Sequence, residues 1–236
     1  MYRFVFILNL LLPAILFSQN LIMNPDFEKY ARCPDQPGQI YLASHWFSPN
    51  IATPDYFNDC SPDLEYGTEF NKKGGQVAHS GHAYAGLQFY YLNRNEFFEY
   101  IETLLDSALI AGQLYCISAF VSLGECSYAA REIGAVLSVN ELKIQQARKA
   151  SLDHVPLTCG QRLDDQNEWM YISGIYRAKG KERFLTLGNF SKGDDFWHIH
   201  MQSLTDSLFK SSFYFIDDVS LIAIGDSTEC NCHLIK

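Results

Sequence analysis

The sequence predicts an all-β protein, an antiparallel β-sandwich or jelly roll. Several segments of strand length are rich in β-branched and aromatic residues, and turn-forming sequences such as AKGKE and SKGDD separate them. Aromatic residues make up 14% of the chain and charged residues only 19%, a composition that suits strands and loops better than long solvated helices. Strands that recur at these intervals, with no long helical periodicity between them, favour a sandwich.

The predicted strands follow one another along the second half of the chain. They are 99–105, 114–123, 133–139, 169–178, 183–190 and 213–224. The segment 140–151, NELKIQQARKAS, is either a helix or a charged strand and loop. Because there is no internal repeat and no low-complexity linker, we expect a single domain over 19–225, followed by a short cysteine-containing tail, 226–236.

The first eighteen residues, 1–18, have the layout of a secretory signal peptide. Arg3 precedes an apolar stretch from Val5 to Phe17, and the small residue Ser18 follows it. A membrane span needs roughly twenty apolar residues, and no later segment has them. We therefore expect an exported protein, secreted or associated with the cell surface or outer membrane, that does not span a membrane after cleavage. An uncleaved N-terminal anchor is the alternative.

Charge and cysteine content narrow the class of protein further. A net charge of −9 without a block of lysine or arginine excludes a nucleic-acid binder, which needs a basic face. All seven cysteines follow the leader, so disulfides are expected, and the odd number leaves one thiol over. The candidate disulfides are Cys33–Cys60 and Cys126–Cys159, and Cys116 is a candidate for a buried free thiol. Cys230 and Cys232 could be part of a metal site or could pair with another chain.

Acidic residues in apolar surroundings suggest a bound cation. In FYFIDDVSL, strict alternation would place Asp217 on the same face as Phe213, Phe215, Val219 and Leu221. A carboxylate buried there must be protonated, paired or metal-bound, because burying it alone costs several kcal/mol. The stretch NLIMNPDFE offers further carboxylates, and clustered oxygens select Ca²⁺. Alternatively, the acids of the last strand cap a turn or accept backbone N–H bonds.

Four stretches resemble the landmarks of galactose-binding-like jelly rolls, which include family 4 and family 22 carbohydrate-binding modules. They are NLIMNPDFE, HSGHAYAGL, LIAGQLYCISAFVSL and YFIDDVSL. In addition, NPDFEKYARCPDQPGQI, HWFSPNIATPDYFNDC and AHSGHAYAGL are similar to a module at the front of secreted and OmpA-like outer-membrane proteins of gliding-type bacteria. Together these similarities cover nearly the whole chain after the leader.

The resemblance implies a structural calcium ion between the N-terminal segment and the last strand. Its ligands would be Asp26, Glu28, a backbone carbonyl at Gly81, and Asp217. The resemblance also implies a non-catalytic module for a cell-surface or extracellular glycan or another cell-envelope polymer. The alternative function is a structural or adhesion component of the cell envelope that binds protein.

Aromatic side chains are the candidates for sugar contacts, because an aromatic ring offers apolar area with little loss of entropy. Trp197 is the first choice, in a polar insert, and Tyr90, Tyr91 and Tyr56 follow, whereas Trp46 and Trp169 are assigned to the core. The chain has no G-x-S-x-G, H-E-x-x-H or phosphate-loop motif, so we do not expect an enzyme. His198 and His200 could ligate zinc only with a third ligand from elsewhere.

Overall fold

A computed structural model describes residues 19–91, 97–125, 128–192, 196–198, 211–230 and 232, with the backbone alone described at Tyr91 and in 196–198. The predicted signal peptide, 1–18, and the seventh cysteine, Cys126, lie outside the described residues. Across these ranges the chain has no helix long and apolar enough to cross a membrane.

Two antiparallel five-stranded sheets form the molecule. The strands of the first sheet, in spatial order, are β1 (Trp46–Phe47), β4 (Tyr100–Leu104), β10 (Phe184–Gly188), β7 (Ile133–Ser138) and β8 (Val155–Leu157). Those of the second sheet are β2 (Asp55–Asn58), β3 (Ala83–Tyr91), β12 (Ser211–Ile224), β5 (Leu114–Leu123) and β9 (Met170–Arg177). A separate two-stranded ribbon pairs β6 (Tyr128–Ala130) with β11 (Phe196–His198).

The predicted all-β antiparallel sandwich is confirmed by these sheets. The six predicted strands correspond to β4, β5, β7, β9, β10 and β12. The predicted list omits β3, which has nine residues. It also omits β1, β2, β6, β8 and β11, which have only two to four residues each and so show no pattern. The ambiguous segment 140–151 forms no helix and runs as a loop with a turn at Gln146 and Ala147.

The main core fills the space between the two sheets. Its members come from both inner faces and from the N-terminal segment, which contributes Ile22 and Phe27. Trp46 is only 2% exposed, its ring stacks on that of Phe27, and its Nε1 donates to the carbonyl of Asn24. The core position predicted for Trp46 is therefore confirmed.

A β-bulge in β12 corrects the alternation expected from the sequence. The register with β5 shifts between Asp217 and Ser220, where one extra residue is accommodated and Asp218 has a φ of 47°. Phe213 and Phe215 consequently belong to a second apolar cluster, whereas the residues beyond the bulge, Val219 and Leu221, join the main core. The prediction that all of these side chains share one face is wrong, because strict alternation ignores bulges.

The loop 140–152, called the strap, covers the outer face of the first sheet. Its backbone is attached by hydrogen bonds at several points. The Leu142 N–H donates to Glu102 Oε1 (3.1 Å), the Ala150 N–H donates to Tyr100 Oη (2.9 Å), and the carbonyl of Ala147 accepts from the N–H of Phe98 (2.7 Å). The strap packs its apolar side chains on a third cluster formed by Phe98, Tyr100, Val136 and Phe190. This outer face is thereby removed from solvent.

Beneath the strap lies a fully buried carboxyl group, that of Glu102. Thr186 Oγ1 donates to its Oε2 at 2.7 Å, and the Leu142 N–H donates to both of its oxygens. Burial raises the pKa of Glu102 to about 7, because it disfavours the charged form more strongly than these hydrogen bonds favour it.

Three disulfides cross-link the described part of the chain. The predicted Cys33–Cys60 bridge is confirmed. The other predicted roles are wrong, because the tail forms a 3₁₀ turn at Ser227–Glu229 and returns to the sandwich, where its cysteines find partners. The pairs are Cys116–Cys230 and Cys159–Cys232. Cys116 is thus no free thiol, Cys159 does not pair with Cys126, and the tail cysteines neither form a metal fragment nor pair with another chain.

We expect Glu102 to make the fold less stable as the pH rises. The pKa of the Glu102 carboxyl in the folded state is above the unfolded value of 4.5. The stability contributed by protonated Glu102 is therefore fully present below pH 4.5 and is lost as the pH rises through about 7. Urea unfolding from acid to alkaline pH should show a loss of about 2 kcal/mol in the wild type that Glu102→Gln lacks.

Glu182→Gln is the matched control for this measurement. Burial alone would raise the pKa of Glu182, but hydrogen bonds from Tyr176 Oη and from the N–H groups of Lys179 and Gly180 lower it. Its contribution should therefore have the opposite sign, present at neutral pH and lost in acid. Parallel pH profiles for the wild type and Glu102→Gln would contradict the assignment.

Candidate functional site

Two half-buried tyrosines, Tyr90 and Tyr128, form an aromatic pair where β3 approaches the ribbon. Their ring centroids are 5.6 Å apart and the rings are inclined at 76°, an edge-to-face arrangement. Tyr90 lies near the end of β3 and pairs with Ser212 of β12, so a central strand of the second sheet fixes its position.

The ribbon itself is held on the sandwich by buried contacts. Ala129 and Ala130 are buried, and the N–H of Ala130 donates to Tyr214 Oη at 2.8 Å. In the ribbon, Trp197 pairs with Ala129 and His198 pairs with Tyr128. The structure thus brings the backbone of Trp197 next to the tyrosine that contacts Tyr90, although the two residues are far apart in sequence.

Other predicted sugar-binding residues have different outcomes. The side chains of Trp197, Tyr91 and His198, and the whole of His200, lie outside the described residues. Tyr56 is fully buried, and its Oη donates to the carbonyl of Phe27 at 3.0 Å and accepts from Asn58 Nδ2. No face of the Tyr56 ring is open to a ligand, because the core surrounds it.

Trp169 and Tyr128 show what the sequence alone did not reveal. Trp169 is half-buried rather than in the core, and its ring contacts those of Tyr84 and His79 on the outer side of the second sheet. Its position just before β9, outside the strand's paired residues, is the physical reason. Tyr128 is the first residue of a three-residue strand, which is too short to show a pattern, so the sequence does not mark it as a partner of Tyr90.

The predicted calcium ligand Asp217 is fully buried beside the loop that precedes β3. Its carboxyl oxygens accept hydrogen bonds from the backbone N–H groups of Ser80 (3.1 Å) and Asp218 (2.7 Å). Burial and the neighbouring negative charge of Asp218 raise the pKa of Asp217 to about 8. This carboxyl group is costly to ionise where it lies.

A second predicted ligand, Glu28, reaches the same loop from the N-terminal segment. Its Oε1 accepts a hydrogen bond from the N–H of His82 at 2.7 Å. Gly81 has a φ of +61°, and a Cβ added there would lie 2.4 Å from Glu28 Oε1. Glycine at this position therefore permits both the left-handed backbone and the close approach of the carboxylate.

The N-terminal segment is attached to β12 directly beyond the bulge. The N–H of Val219 donates to the carbonyl of Pro25, and the N–H of Leu21 donates to that of Leu221, both at 2.9 Å. Asp26, next to Pro25, is half-buried. The structure thus brings the segment of Asp26 and Glu28, the turn at Gly81 and the bulge at Asp217 to one junction.

The donors at this junction suit a hard cation in type, because they are carboxylate and carbonyl oxygens. Their arrangement is incomplete as a metal site, since nowhere in the described part of the chain do three or more His, Cys, Asp or Glu side chains form a group that could hold a metal ion. The neighbouring carboxylate of Asp218 instead accepts a hydrogen bond from Ser80 Oγ at 2.8 Å, and His79 Nδ1 lies 2.5 Å from its Oδ2.

An open apolar groove of about 570 Å³ lies near the start of the described chain. Its lining includes Leu21, Ala108, Tyr115 and Ile224, together with Ile110, which is 68% exposed. Such a surface could contact a protein partner.

Among known proteins, this chain is similar to several solved structures. The chain matches no protein-family model, and no curated protein matches it. Among solved structures, it is similar to the CBM22-1 xylan-binding domain from Paenibacillus barcinonensis, with a TM-score of 0.43 and 13% identity over 86% of this chain and 93% of that domain.

Two further solved structures are similar at the same level. One is the K1 cleaved adhesin domain of Lys-gingipain from Porphyromonas gingivalis, with a TM-score of 0.40 and 12% identity over 85% of this chain and 96% of that one. The other is described as a CBM4 structure, with a TM-score of 0.35 and 14% identity over 86% and 99%. Both module families that the sequence motifs resemble, family 4 and family 22, are thus among these structures.

We expect Gly81→Ala to destabilise the fold through Glu28 as well as through the backbone. A left-handed φ alone costs about 1 kcal/mol in an alanine, and displacing the Glu28 carboxylate from His82 should roughly double that loss. The free energy of unfolding, measured by urea titration, tests this.

Gly160→Ala is the matched control, because Gly160 has a φ of +72° and nothing within 4 Å of an added Cβ. It should show the backbone cost alone. In a Glu28→Ala background, Gly81→Ala should cost no more than Gly160→Ala does. Equal losses for both glycines in the wild-type background would show that the contact with Glu28 is unimportant.

Proposed function

We propose that this protein is an exported, non-catalytic module that binds a cell-surface or extracellular glycan. The observation that carries the proposal is the Tyr90–Tyr128 pair, fixed beside the backbone of Trp197 by the ribbon. Half-buried aromatic rings on a rigid sheet can stack on sugar faces, since little entropy is lost when they bind. The ligand would contact Tyr90, Tyr128 and Trp197, and also Tyr91, which follows Tyr90 in sequence.

Export is supported by the disulfides. Six cysteines form three bridges, and bridges of this kind persist in oxidising compartments such as the periplasm and the cell exterior. The tail contributes to two of them, so the described part of the predicted tail is covalently part of the sandwich. These features accord with a leader at 1–18 and a location outside the cytoplasm.

We also propose that a structural Ca²⁺ binds at the junction of the N-terminal segment with β12. Asp26, Glu28, the carbonyl of Gly81 and Asp217 would hold it. The support is that carboxyl groups from two chain segments, Glu28 and Asp217, both accept hydrogen bonds from the turn that contains Gly81, and that the carboxyl group of Asp217 is fully buried. The ion would supply positive charge that lets Asp217 ionise and would leave the aromatic site unchanged.

Glycan binding is tested with variants of the aromatic site. A glycan array followed by calorimetry should identify a polysaccharide that binds the wild type, and Trp197→Ala, Tyr90→Ala and Tyr128→Ala should each weaken that binding about tenfold or more, as expected for a lost stacking contact. Tyr41→Ala is the matched control, because Tyr41 is 61% exposed and distant in sequence from the ribbon. Loss of affinity in the control alone would place the binding site elsewhere.

Calcium binding is tested by thermal unfolding with millimolar Ca²⁺ and with a chelator. Because a ligand of the folded state adds stability, the midpoint should fall by roughly 3–8 °C on chelation. Asp217→Asn should abolish this response, whereas Asp226→Asn, which changes an acid that caps the 3₁₀ turn, should retain it. An unchanged wild-type midpoint would contradict the calcium site.

A protein-binding role in the cell envelope is the alternative, and the apolar groove at Ile110 favours it. Ile110→Asp should then weaken capture of an envelope protein and leave glycan binding intact. If no glycan binds the wild type and a defined protein partner requires Ile110, the adhesion function replaces the glycan function.

A further inference from the structure

The strap is a basic segment in an acidic protein. The chain has 18 lysines and arginines against 27 acids, yet the strap contains Lys143, Arg148 and Lys149 and only one acid, Glu141. Lys143 and Arg148 are exposed, and the Nζ of Lys149 lies 5.8 Å from the centroid of the Phe98 ring. Positive charge is therefore concentrated on one covered sheet face.

A cavity of about 330 Å³ lies within this segment. Its lining comes from strap residues between Leu142 and Leu152, and all three basic side chains belong to it. Apolar walls together with basic lining residues suit a sugar ring carrying a negative group, because a less polar wall strengthens the attraction between charges.

The cavity is built on buried anchors. Glu102 and Tyr100 accept the N–H groups of Leu142 and Ala150, as described for the strap, and the N–H of Ile144 donates to the carbonyl of Pro49 at 3.1 Å. Ala147 is buried, and Gln146 reverses the chain with a φ of 59°. These restraints fix the strap backbone that carries the basic residues before any ligand arrives, which lowers the cost of ordering the backbone on binding.

We propose that the strap cavity binds an anionic group, a carboxylate or a phosphate, carried by the glycan. This inference rests on the proposed function and assigns its ligand to the acidic polysaccharides. Arg148 would contact the anion through its planar guanidinium, which matches two oxygens of a carboxylate or phosphate, while the lysines act as point charges. The net negative charge of the remaining surface restricts attraction of a polyanion to the strap.

The experiment compares each acidic glycan with its neutralised counterpart. A panel of uronic-acid polysaccharides and their methyl esters tests carboxylates, and a phosphate-bearing wall polymer with its dephosphorylated form tests phosphates. At least one acidic form should bind about tenfold more tightly than its counterpart, with a preference that falls as salt is added. If the uronic-acid polysaccharides show this preference over their methyl esters, the anionic group is a carboxylate. If the phosphate-bearing polymer shows it over its dephosphorylated form, the group is a phosphate.

Strap variants assign that preference to the cavity. Lys143→Ala and Arg148→Ala should each remove most of the preference for the acidic glycan and leave the affinity for the neutral form unchanged. Lys192→Ala is the control, because Lys192 is an exposed lysine outside the strap. The melting temperature of each variant shows that it folds.

The outcomes separate the two proposals. If acidic and neutral forms bind equally, or if the strap variants keep the preference, the cavity does not bind the anion, while a loss with Tyr90→Ala still supports the aromatic site. If neither form of any glycan binds, the glycan function itself fails and the inference fails with it.

Discussion

The β-bulge in β12 sets which side chains of this central strand face the main core. By adding one residue between Asp217 and Ser220, it lets the strand present aromatic side chains outward before the bulge and aliphatic ones inward after it. The N-terminal segment then hydrogen-bonds to the strand beyond the bulge, and the loop before β3 closes over Asp217. Without the shift in register, the last strand would bury its side chains on the wrong face.

Both sheets also depend on chain segments that cover their outer faces. The strap shields the first sheet, while the returning tail is joined to β5 of the second sheet through Cys116 and Cys230. Covering a sheet with irregular backbone requires partners for its polar groups, and these partners are buried side chains such as Glu102 and Tyr100. The raised pKa of Glu102 therefore follows from its burial beneath the strap, which the hydrogen bond from Leu142 offsets only in part.

The candidate functional site shows how much of such a site the sequence can predict. Residue type makes Tyr90 and Trp197 candidates for sugar contacts, and the ribbon brings their strands close together. Tyr56 has the same chemistry but lies beneath its loop, where hydrogen bonds to Phe27 and Asn58 hold it. Exposure is a property of the assembled layers, so local sequence cannot distinguish these tyrosines. The cavity in the strap depends equally on long-range anchoring.

The all-β class, six of the long strands and the Cys33–Cys60 bridge can be predicted from the sequence, because period, composition and spacing along the chain are local properties. Local sequence does not predict the bulge, the pairing of the tail cysteines with Cys116 and Cys159, or the conformation of the strap. These features join residues that are far apart in the chain. Their energies come from packing and hydrogen bonds across sheets, which no single segment contains.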